Sequence, residues 1–241
     1  MRTRGASLIS EHKVYLEPGD VDALEAQATY LRDKLLIRLL FRIGARISEV
    51  LAIAVADIDL KQSTVTIEHL KLRIKRSCPD CETRLSRTAS FCPGCGSKVD
   101  QAKVDEKEHR RLRTLPLDES TLEMVEDYIN RGGPVTRHGK RVLFGITRNR
   151  AWAIVKDCAE RAGLPRLVNP ETGKVHNVSP HKLRDAFAVH ALEVDDSGVG
   201  QRMLQEALGH RSFDTTARYR KVSGRELKEW HGKLWEKREE S

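Results

Sequence analysis

Two Cys-x-x-Cys pairs lie near the middle of the chain and restrict what this part of it can fold into. Cys78 and Cys81 form the first pair, and Cys92 and Cys95 form the second, with ten residues between the pairs. Thiolates at this spacing wrap around one tetrahedral zinc ion, and four thiolates leave no coordination position open for a substrate. We therefore predict a structural zinc ribbon in a reducing compartment, rather than disulfides. Cys158 stands alone and is predicted to be a core residue.

The segments on either side of the cysteines alternate between apolar and polar residues, as β-strands do. Residues 58–60 and 64–68 precede the cysteines, and residues 111–117 follow them. Antiparallel neighbours are normally joined by a few residues, but here some forty stand between the second and third segments. The zinc ribbon, over residues 76–108, is thus predicted to be an insertion in the second β-hairpin of a small antiparallel sheet.

Most of the remaining sequence has helical periodicity. Apolar residues recur at spacings of three, four and seven from Leu31 to Ile43, and Gly44 ends this stripe. Asp118 and Thr147 are good N-cap residues for two further helices. The predicted fold class is mainly α with a small antiparallel β-sheet (α+β). Its parts are a short arm (1–16), a globular domain (17–222) with helices at about 118–129, 147–162, 180–193, 199–209 and 213–220, and an amphipathic tail helix (223–241).

The composition favours a polyanionic partner. The 241 residues include 43 Lys or Arg against 35 Asp or Glu, which gives a net charge of +8 and a pI near 9.3. The sequence has no apolar run of membrane-spanning length and no secretory signal, so we predict a cytoplasmic protein. It has no Gly-x-x-x-x-Gly-Lys motif for ATP and no carboxylate cluster typical of a catalytic metal.

Five side chains suited to chemistry on a phosphodiester occur in three separate segments. Arg46 stands in the first, His181 and Arg184 in the second, and His210 with Tyr219 in the third. A Tyr hydroxyl, with an ordinary pKa of about 10, is a weak nucleophile that needs a base and a stabilised transition state. Guanidinium forks pair with phosphate oxygens and neutralise the developing charge. The set indicates attack of Tyr219 on a phosphodiester.

These segments resemble the signature boxes of the tyrosine recombinase (phage integrase) family, over roughly residues 17–222. The resemblance implies a site-specific DNA recombinase or integrase that cleaves and rejoins strands through a 3′-phosphotyrosyl intermediate, without ATP or a catalytic metal. It also implies double-stranded DNA as partner, with a monomer in the free state and a dimer or tetramer on DNA. The matching segments are Gly-Ala-Arg46-Ile-Ser-Glu49, Ser-Pro-His181-Lys-Leu-Arg184 and Leu-Gly-His210 followed by Tyr219.

The resemblance assigns roles by motif position. It makes Tyr219 the nucleophile, Arg46 and Arg184 the residues that bind the scissile phosphate, and His181 and His210 assisting groups. In the family, an acidic residue steadies the first Arg, and a hairpin Lys is the acid that protonates the leaving oxygen. Those positions correspond here to Glu49 and to Lys71. The insertion makes the alignment of the hairpin uncertain and leaves three competing lysines: Lys75, Lys103 and Lys107.

The insertion and its flanks are basic. Between Lys71 and Arg113 there are twelve Lys or Arg against six Asp or Glu, and a zinc ion with four thiolates would offset two of the surplus positive charges. Two interpretations stay open at this point. The module holds DNA beside the active site, or it props the hairpin or contacts a partner subunit.

Two further features bear on the functional class. Only 45 residues precede Arg46, which leaves no room for the separate N-terminal domain that closes a clamp around DNA in relatives. The alternative function is therefore a non-catalytic or truncated integrase-like DNA-binding protein. A type IB topoisomerase is a third hypothesis, but the His-x-x-Arg box and the compact length fit recombinases better. The tail stripe of Leu227, Trp230 and Leu234 is expected to dock on its own domain or on a neighbouring subunit.

Overall fold

A computed structural model of the chain describes residues 13–86, 88–169, 172–210, 212–217, 219 and 231. For residues 69–75 and 105–111 it describes the backbone alone. The predicted arm falls mostly outside these residues, and the predicted tail helix does so except for His231. The described part is mainly helical with small antiparallel sheets, so the predicted fold class is confirmed.

The helices follow the caps and periodicities of the sequence. Asp118 accepts a hydrogen bond from the backbone N–H of Thr121 at 3.1 Å, and Thr147 accepts one from Arg150 at 3.2 Å, as N-caps do. No helix in the described part of the chain is long and apolar enough to cross a membrane. The described α-helices are α1 (Pro18–Ala26), α2 (Leu31–Arg42), α3 (Ile47–Ala52), α4 (Glu119–Asn130), α5 (Arg148–Arg161), α6 (Pro180–Val194), α7 (Gly198–Leu208) and α8 (Phe213–Ala217).

Helix α2 is the centre of the core. It packs against α1, α4, α5 and α6, and its stripe from Leu35 to Phe41 is buried. Burial of each of these apolar side chains contributes about 2 kcal/mol to the free energy of unfolding. The stripe ends at Gly44, which has a φ of +56° and lies so close to Phe187 that an added Cβ would be 2.2 Å from its ring. Only glycine fits there, and the turn places Arg46 directly before α3.

A three-stranded antiparallel sheet lies beside the helices, in the order β1 (Ile58–Asp59), β2 (Thr64–Ser77) and β3 (Lys103–Pro116). Its two long strands extend beyond the predicted 64–68 and 111–117. Pairing continues from Thr64 opposite Pro116 to Ser77 opposite Lys103. From Leu70 to Ile74 apolar residues still alternate with polar ones, but in the phase opposite to that of Val65 and Ile67. Residues 105–111 are all polar, so the partner strand shows no alternation there. The extended strands leave residues 78–102 as the segment between them.

Two small hairpins were not predicted from the sequence. β4 (Val135–Arg137) pairs with β5 (Lys140–Val142) through a turn in which His138 and Gly139 both have positive φ, and β6 (Leu167–Val168) pairs with β7 (Val175–His176). Strands of two or three residues are too short to show a period of two, so periodicity could not reveal them.

Candidate active site and candidate metal centre

Arg184 is the most buried charged group of the site. It lies on α6 with 2% of its surface exposed. Its Nη1 donates to the carbonyl oxygen of Gly44 at 2.6 Å, and its Nη2 donates to that of Leu208 at 2.8 Å. Burial lowers the pKa of Arg184 from 12.5 to about 10, and the positive charge of Arg46 adds to this effect. The guanidinium thus stays protonated at neutral pH and connects the ends of α2 and α7.

Glu49 holds two arginines in one buried network. Its carboxylate accepts from the backbone N–H of Arg46 at 2.9 Å and from Nη1 of Arg46 at 2.9 Å. It also accepts from Nη2 of Arg113 at 2.6 Å. Burial alone would raise the pKa of Glu49, but the hydrogen bond and charge of Arg113, together with Arg46, lower it to about 2. The predicted Glu49–Arg46 pair is therefore present, and its carboxylate is ionised.

Arg113 was not predicted as a site residue. It stands on β3 opposite Ile67, and an added Cβ on Gly209 would be 3.0 Å from its Nη1. Arg113 therefore donates to Glu49 and also lies against the glycine that precedes His210. Its position could have been noticed in the sequence, because it shares the inward phase of the strand with the buried residues Leu115 and Leu117. A charged residue in that phase requires a buried partner.

The depressed pKa of Glu49 predicts an acid-dependent loss of stability. A carboxylate with a lowered folded-state pKa contributes stability that is complete above its unfolded pKa, near 4.5, and is lost as the pH falls toward about 2. Between pH 6 and pH 3, the wild-type free energy of unfolding should fall by about 2 kcal/mol more than that of Glu49→Gln. Urea titrations at both pH values measure this difference. Glu123→Gln, an exposed control, should keep the wild-type dependence, and parallel behaviour of Glu49→Gln and wild type would contradict it.

His210 lies between Arg184 and Tyr219. Its Nε2 is 3.1 Å from Nη2 of Arg184, and its Nδ1 is 3.0 Å from Oγ1 of Thr216. Arginine has no acceptor, so Nε2 must accept and the proton of the neutral ring is assigned to Nδ1, where it donates to Thr216. The rings of His210 and Tyr219 are nearly parallel, with centroids 6.4 Å apart. The histidine thus orders both the arginine and the tyrosine.

The hydroxyl of Tyr219 donates a hydrogen bond to Oδ1 of Asp185 at 3.0 Å. Asp185 is 7% exposed, and its Oδ2 is 3.2 Å from Nζ of Lys182. Both residues were missed in the sequence, although Asp185 directly follows Arg184. Their spacing of three on α6 was the available indication, because it places them on one helix face.

The remaining predicted site residues are His181 and the hairpin lysines. His181 is in the first turn of α6 and its side chain is exposed. Lys71 lies on β2 opposite His109, and its side chain is not among those described. The side chains of the competitors Lys75 and Lys107 are likewise outside the described part. The third competitor, Lys103, begins β3 and forms an ion pair with Glu82 at 3.2 Å, beside the cysteine segment.

The four cysteines of the two pairs converge into one cluster. All four sulfur atoms lie within 4.8 Å of one another. The sulfurs of Cys78 and Cys95 are 3.7 Å apart, and those of Cys81 and Cys92 are 3.4 Å apart. A zinc ion with Zn–S bonds of about 2.3 Å holds tetrahedral ligand atoms about 3.8 Å from one another. The four thiols therefore fit one tetrahedral metal ion.

The two cysteine pairs have the same local geometry. Cys78 N–H donates to the carbonyl of Thr83 at 2.9 Å, and Cys92 N–H donates to that of Ser97 at 2.9 Å. The hydroxyls of these two acceptor residues lie 3.2 Å and 3.3 Å from the sulfurs of Cys81 and Cys95, and they lower the pKa of each thiol. Backbone N–H groups lower the pKa of Cys92. Backbone N–H groups of Cys81 and Asp80 act to lower the pKa of Cys78, but burial and the hydrogen bonds with Cys92 and Cys95 raise it to about 11. Three of the four thiols thus favour the thiolate form, which is the form that binds metal.

Sequence comparison assigns the chain to a known family. Residues 17–88 and 97–226 match the sequence model of the phage integrase family, so the chain belongs to this family of tyrosine recombinases. The unmatched residues 89–96 include Cys92 and Cys95, within the segment between β2 and β3.

Several relatives are similar over most of the chain. The tyrosine recombinase XerD of Corynebacterium glutamicum is 31% identical over 210 residues, which cover 84% of this chain and 52% of that protein. The tyrosine recombinase XerA of Pyrococcus horikoshii is 29% identical over 214 residues, which cover 89% of this chain and 59% of that protein. The chain thus spans little more than half the length of these curated relatives.

Solved structures agree in fold. The crystal structure of XerA recombinase superposes with a TM-score of 0.59 at 19% identity, and the match covers 97% of this chain and 66% of that one. The Tn1549 transposon integrase, in complex with transposon right-end DNA, gives a TM-score of 0.60 at 15% identity and covers 95% and 68%. At these identities the likeness establishes the fold alone.

Proposed function

We propose that the chain is a tyrosine-type site-specific DNA recombinase of the cytoplasm that cleaves and rejoins DNA strands through Tyr219. The observation that supports this best is the convergence of distant segments. Arg184 is hydrogen-bonded to His210, whose ring faces Tyr219, and Arg46 lies close enough to Arg184 to affect its pKa. Trapping of a covalent DNA adduct on a nicked duplex tests the proposal, as developed in the Discussion.

The geometry supports a specific division of labour. Arg184, fixed by two carbonyls, and Arg46, fixed by Glu49, would bind the non-bridging oxygens of the scissile phosphate. The Tyr219 oxygen attacks phosphorus, a 3′-phosphotyrosyl bond forms, and the bond to the 5′-oxygen breaks. His181 would donate a further hydrogen bond to the phosphate, and His210 would assist by holding Arg184 in place.

In this proposal, Lys71 supplies the proton that the departing 5′-oxygen requires. One phosphodiester replaces another, so the step needs no ATP. The arginine forks neutralise the developing charge, so it needs no catalytic metal.

The proposed partner is double-stranded DNA, bound by a chain that is monomeric when free and oligomeric on its site. The long hairpin is the strongest candidate for an additional phosphate contact. Its strand segments 71–77 and 103–113 contain nine basic against three acidic residues. The intervening residues 78–102 contain three of each. Because four zinc-bound thiolates add two negative charges to that tip, we propose that the strands, and not the cysteine tip, hold DNA.

We propose that Cys78, Cys81, Cys92 and Cys95 bind one structural zinc ion. The fit of the sulfur distances supports this, and a set of four thiolates leaves no position for a substrate. Zinc would stabilise the segment between β2 and β3, whose apolar cluster is otherwise small: Leu85 with the two buried cysteines and a few partly buried neighbours. In such a module, metal binding supplies most of the folding energy.

Protein purified without chelators should contain one zinc ion per chain. Cys92→Ser should lose it, because three thiolates bind zinc far more weakly than four. Cys158→Ser should keep it, since Cys158 lies in the helical core. Elemental analysis measures the stoichiometry, and hydrogen exchange should show that chelation exposes residues 78–102 while α2 stays protected. Less than about a tenth of an ion per wild-type chain would contradict the assignment.

A further inference from the structure

The acceptor of the Tyr219 hydroxyl is a carboxylate that the family resemblance did not assign. Asp185 receives this hydrogen bond at 3.0 Å, a distance at which a side chain can take up a proton. The contact involves the oxygen atom that must become the nucleophile. Whatever removes its proton has to lie at this point.

An ion pair with Lys182 allows the Asp185 carboxylate to lie close to the proposed phosphate site. Asp185 is 7% exposed, and an unpaired buried carboxylate would repel DNA and cost several kcal/mol. Lys182 approaches the other oxygen, Oδ2, at 3.2 Å. The lysine offsets the charge on one side, and Oδ1 faces the tyrosine on the other.

The neighbouring histidine is arranged for a different task. Its Nε2 accepts from Arg184, and its Nδ1 faces Thr216. Its ring lies nearly parallel to that of Tyr219, at an interplanar angle of 10°. Both ring nitrogens are thus engaged by Arg184 and Thr216, whereas the hydroxyl of Tyr219 donates to Asp185. His210 is therefore placed to hold the arginine and support the tyrosine ring.

We propose that Asp185 is the general base of strand cleavage, an inference that rests on the function proposed above. As the tyrosine oxygen bonds to phosphorus, its proton passes to Oδ1 of Asp185. The bond between phosphorus and the 5′-oxygen breaks, and that oxygen takes a proton from the acid of the hairpin. In rejoining, the 5′-hydroxyl attacks phosphorus and returns its proton to the hairpin residue. The phosphotyrosyl bond breaks, and Asp185 returns its proton to the tyrosine.

The test is single-turnover adduct formation at saturating DNA, using a nicked duplex from the DNA that flanks the gene. Asp185→Asn keeps a hydrogen-bond acceptor but cannot take a proton, so the rate should fall on the order of 100-fold or more with DNA affinity retained. Glu193→Gln, the same change on the exposed face of α6, should match wild type. An Asp185→Asn rate within threefold of wild type, or above it, overturns the proposal. Failure of the proposed function itself would appear differently, as no adduct with the wild-type protein.

A substrate with sulfur in place of the 5′-oxygen separates the base from the acid. A thiolate leaves without a proton, so this substrate should restore a variant that lacks the acid and leave Asp185→Asn slow. Restoration of Asp185→Asn by sulfur would place Asp185 on the leaving-group side and overturn the proposal. If Asp185→Asn does not fold, as judged by its thermal midpoint, Asp185→Glu keeps the base. The sulfur substrate should not accelerate the Glu variant relative to wild type, and a selective acceleration would count against the base assignment.

Discussion

Tyr219→Phe should form no covalent DNA adduct and should bind DNA with an affinity within about threefold of wild type. The change removes the nucleophilic oxygen and keeps the ring that lies parallel to His210. It also removes the hydrogen bond to Asp185, which contributes about 1–2 kcal/mol to stability. Denaturing gels measure the adduct, and a fluorescence titration measures binding.

The matched control for this prediction is Tyr30→Phe. Tyr30 is 64% exposed at the start of α2 and is not one of the candidate site residues, so its hydroxyl should be dispensable. The control should form adduct at the wild-type rate. An adduct of normal yield in Tyr219→Phe would show that another residue is the nucleophile.

Arg184→Ala should lose adduct formation and folding stability together. The guanidinium binds the phosphate in the proposed mechanism, so its removal should slow cleavage on the order of 100- to 1000-fold. It also pairs two carbonyls, those of Gly44 and Leu208, and leaving both unpaired costs about 1–3 kcal/mol each. For a chain of this length, the thermal midpoint should fall by roughly 5–15 °C. Arg184→Lys keeps the charge but cannot reach both carbonyls, so it should recover little.

Arg46→Ala provides the comparison that separates chemistry from folding. The Arg46 side chain is 38% exposed, and Glu49 keeps Arg113 when Arg46 is removed. Its loss should therefore slow cleavage strongly while lowering the thermal midpoint much less than the loss of Arg184. Equal midpoints for the two alanine variants would contradict the structural role assigned to the Arg184 guanidinium.

The sequence predicted the parts of the fold that depend on local rules. Side-chain caps at Asp118 and Thr147 and the stripe on α2 are encoded within one turn or one helix face, so they are readable without tertiary information. The length of the central hairpin was not readable. The apolar alternation changes phase within β2, and residues 105–111 of β3 are all polar. Their pairing depends on a backbone ladder across fourteen residue pairs.

The candidate site divides in the same way. Arg184 and His210, which the structure brings together from 26 residues apart, were identified because each belongs to a short motif that is recognisable within its own segment. Arg113 and Asp185 were missed because each acts through a partner distant in sequence, Glu49 and Tyr219 respectively. Only folding brings these pairs together, so the sequence could single out Arg113 by its strand phase and Asp185 by its spacing from Lys182, but not the partners of either. The strand boundaries also show where the positive charge of the insertion lies. The surplus of basic residues is on β2 and β3, and the cysteine tip has none.

The central claim is a covalent bond between Tyr219 and a DNA 3′-phosphate, and one measurement addresses it directly. Wild-type protein is incubated with a nicked duplex whose short fragment diffuses away after cleavage, so that rejoining is prevented. The proposal predicts an adduct that retains the 5′-end label of the upstream segment, a released fragment with a 5′-hydroxyl, and a DNA-linked peptide that contains Tyr219. Specific binding without an adduct would instead identify a DNA-binding protein that does not cleave, and a linkage to a 5′-phosphate would contradict the mechanism.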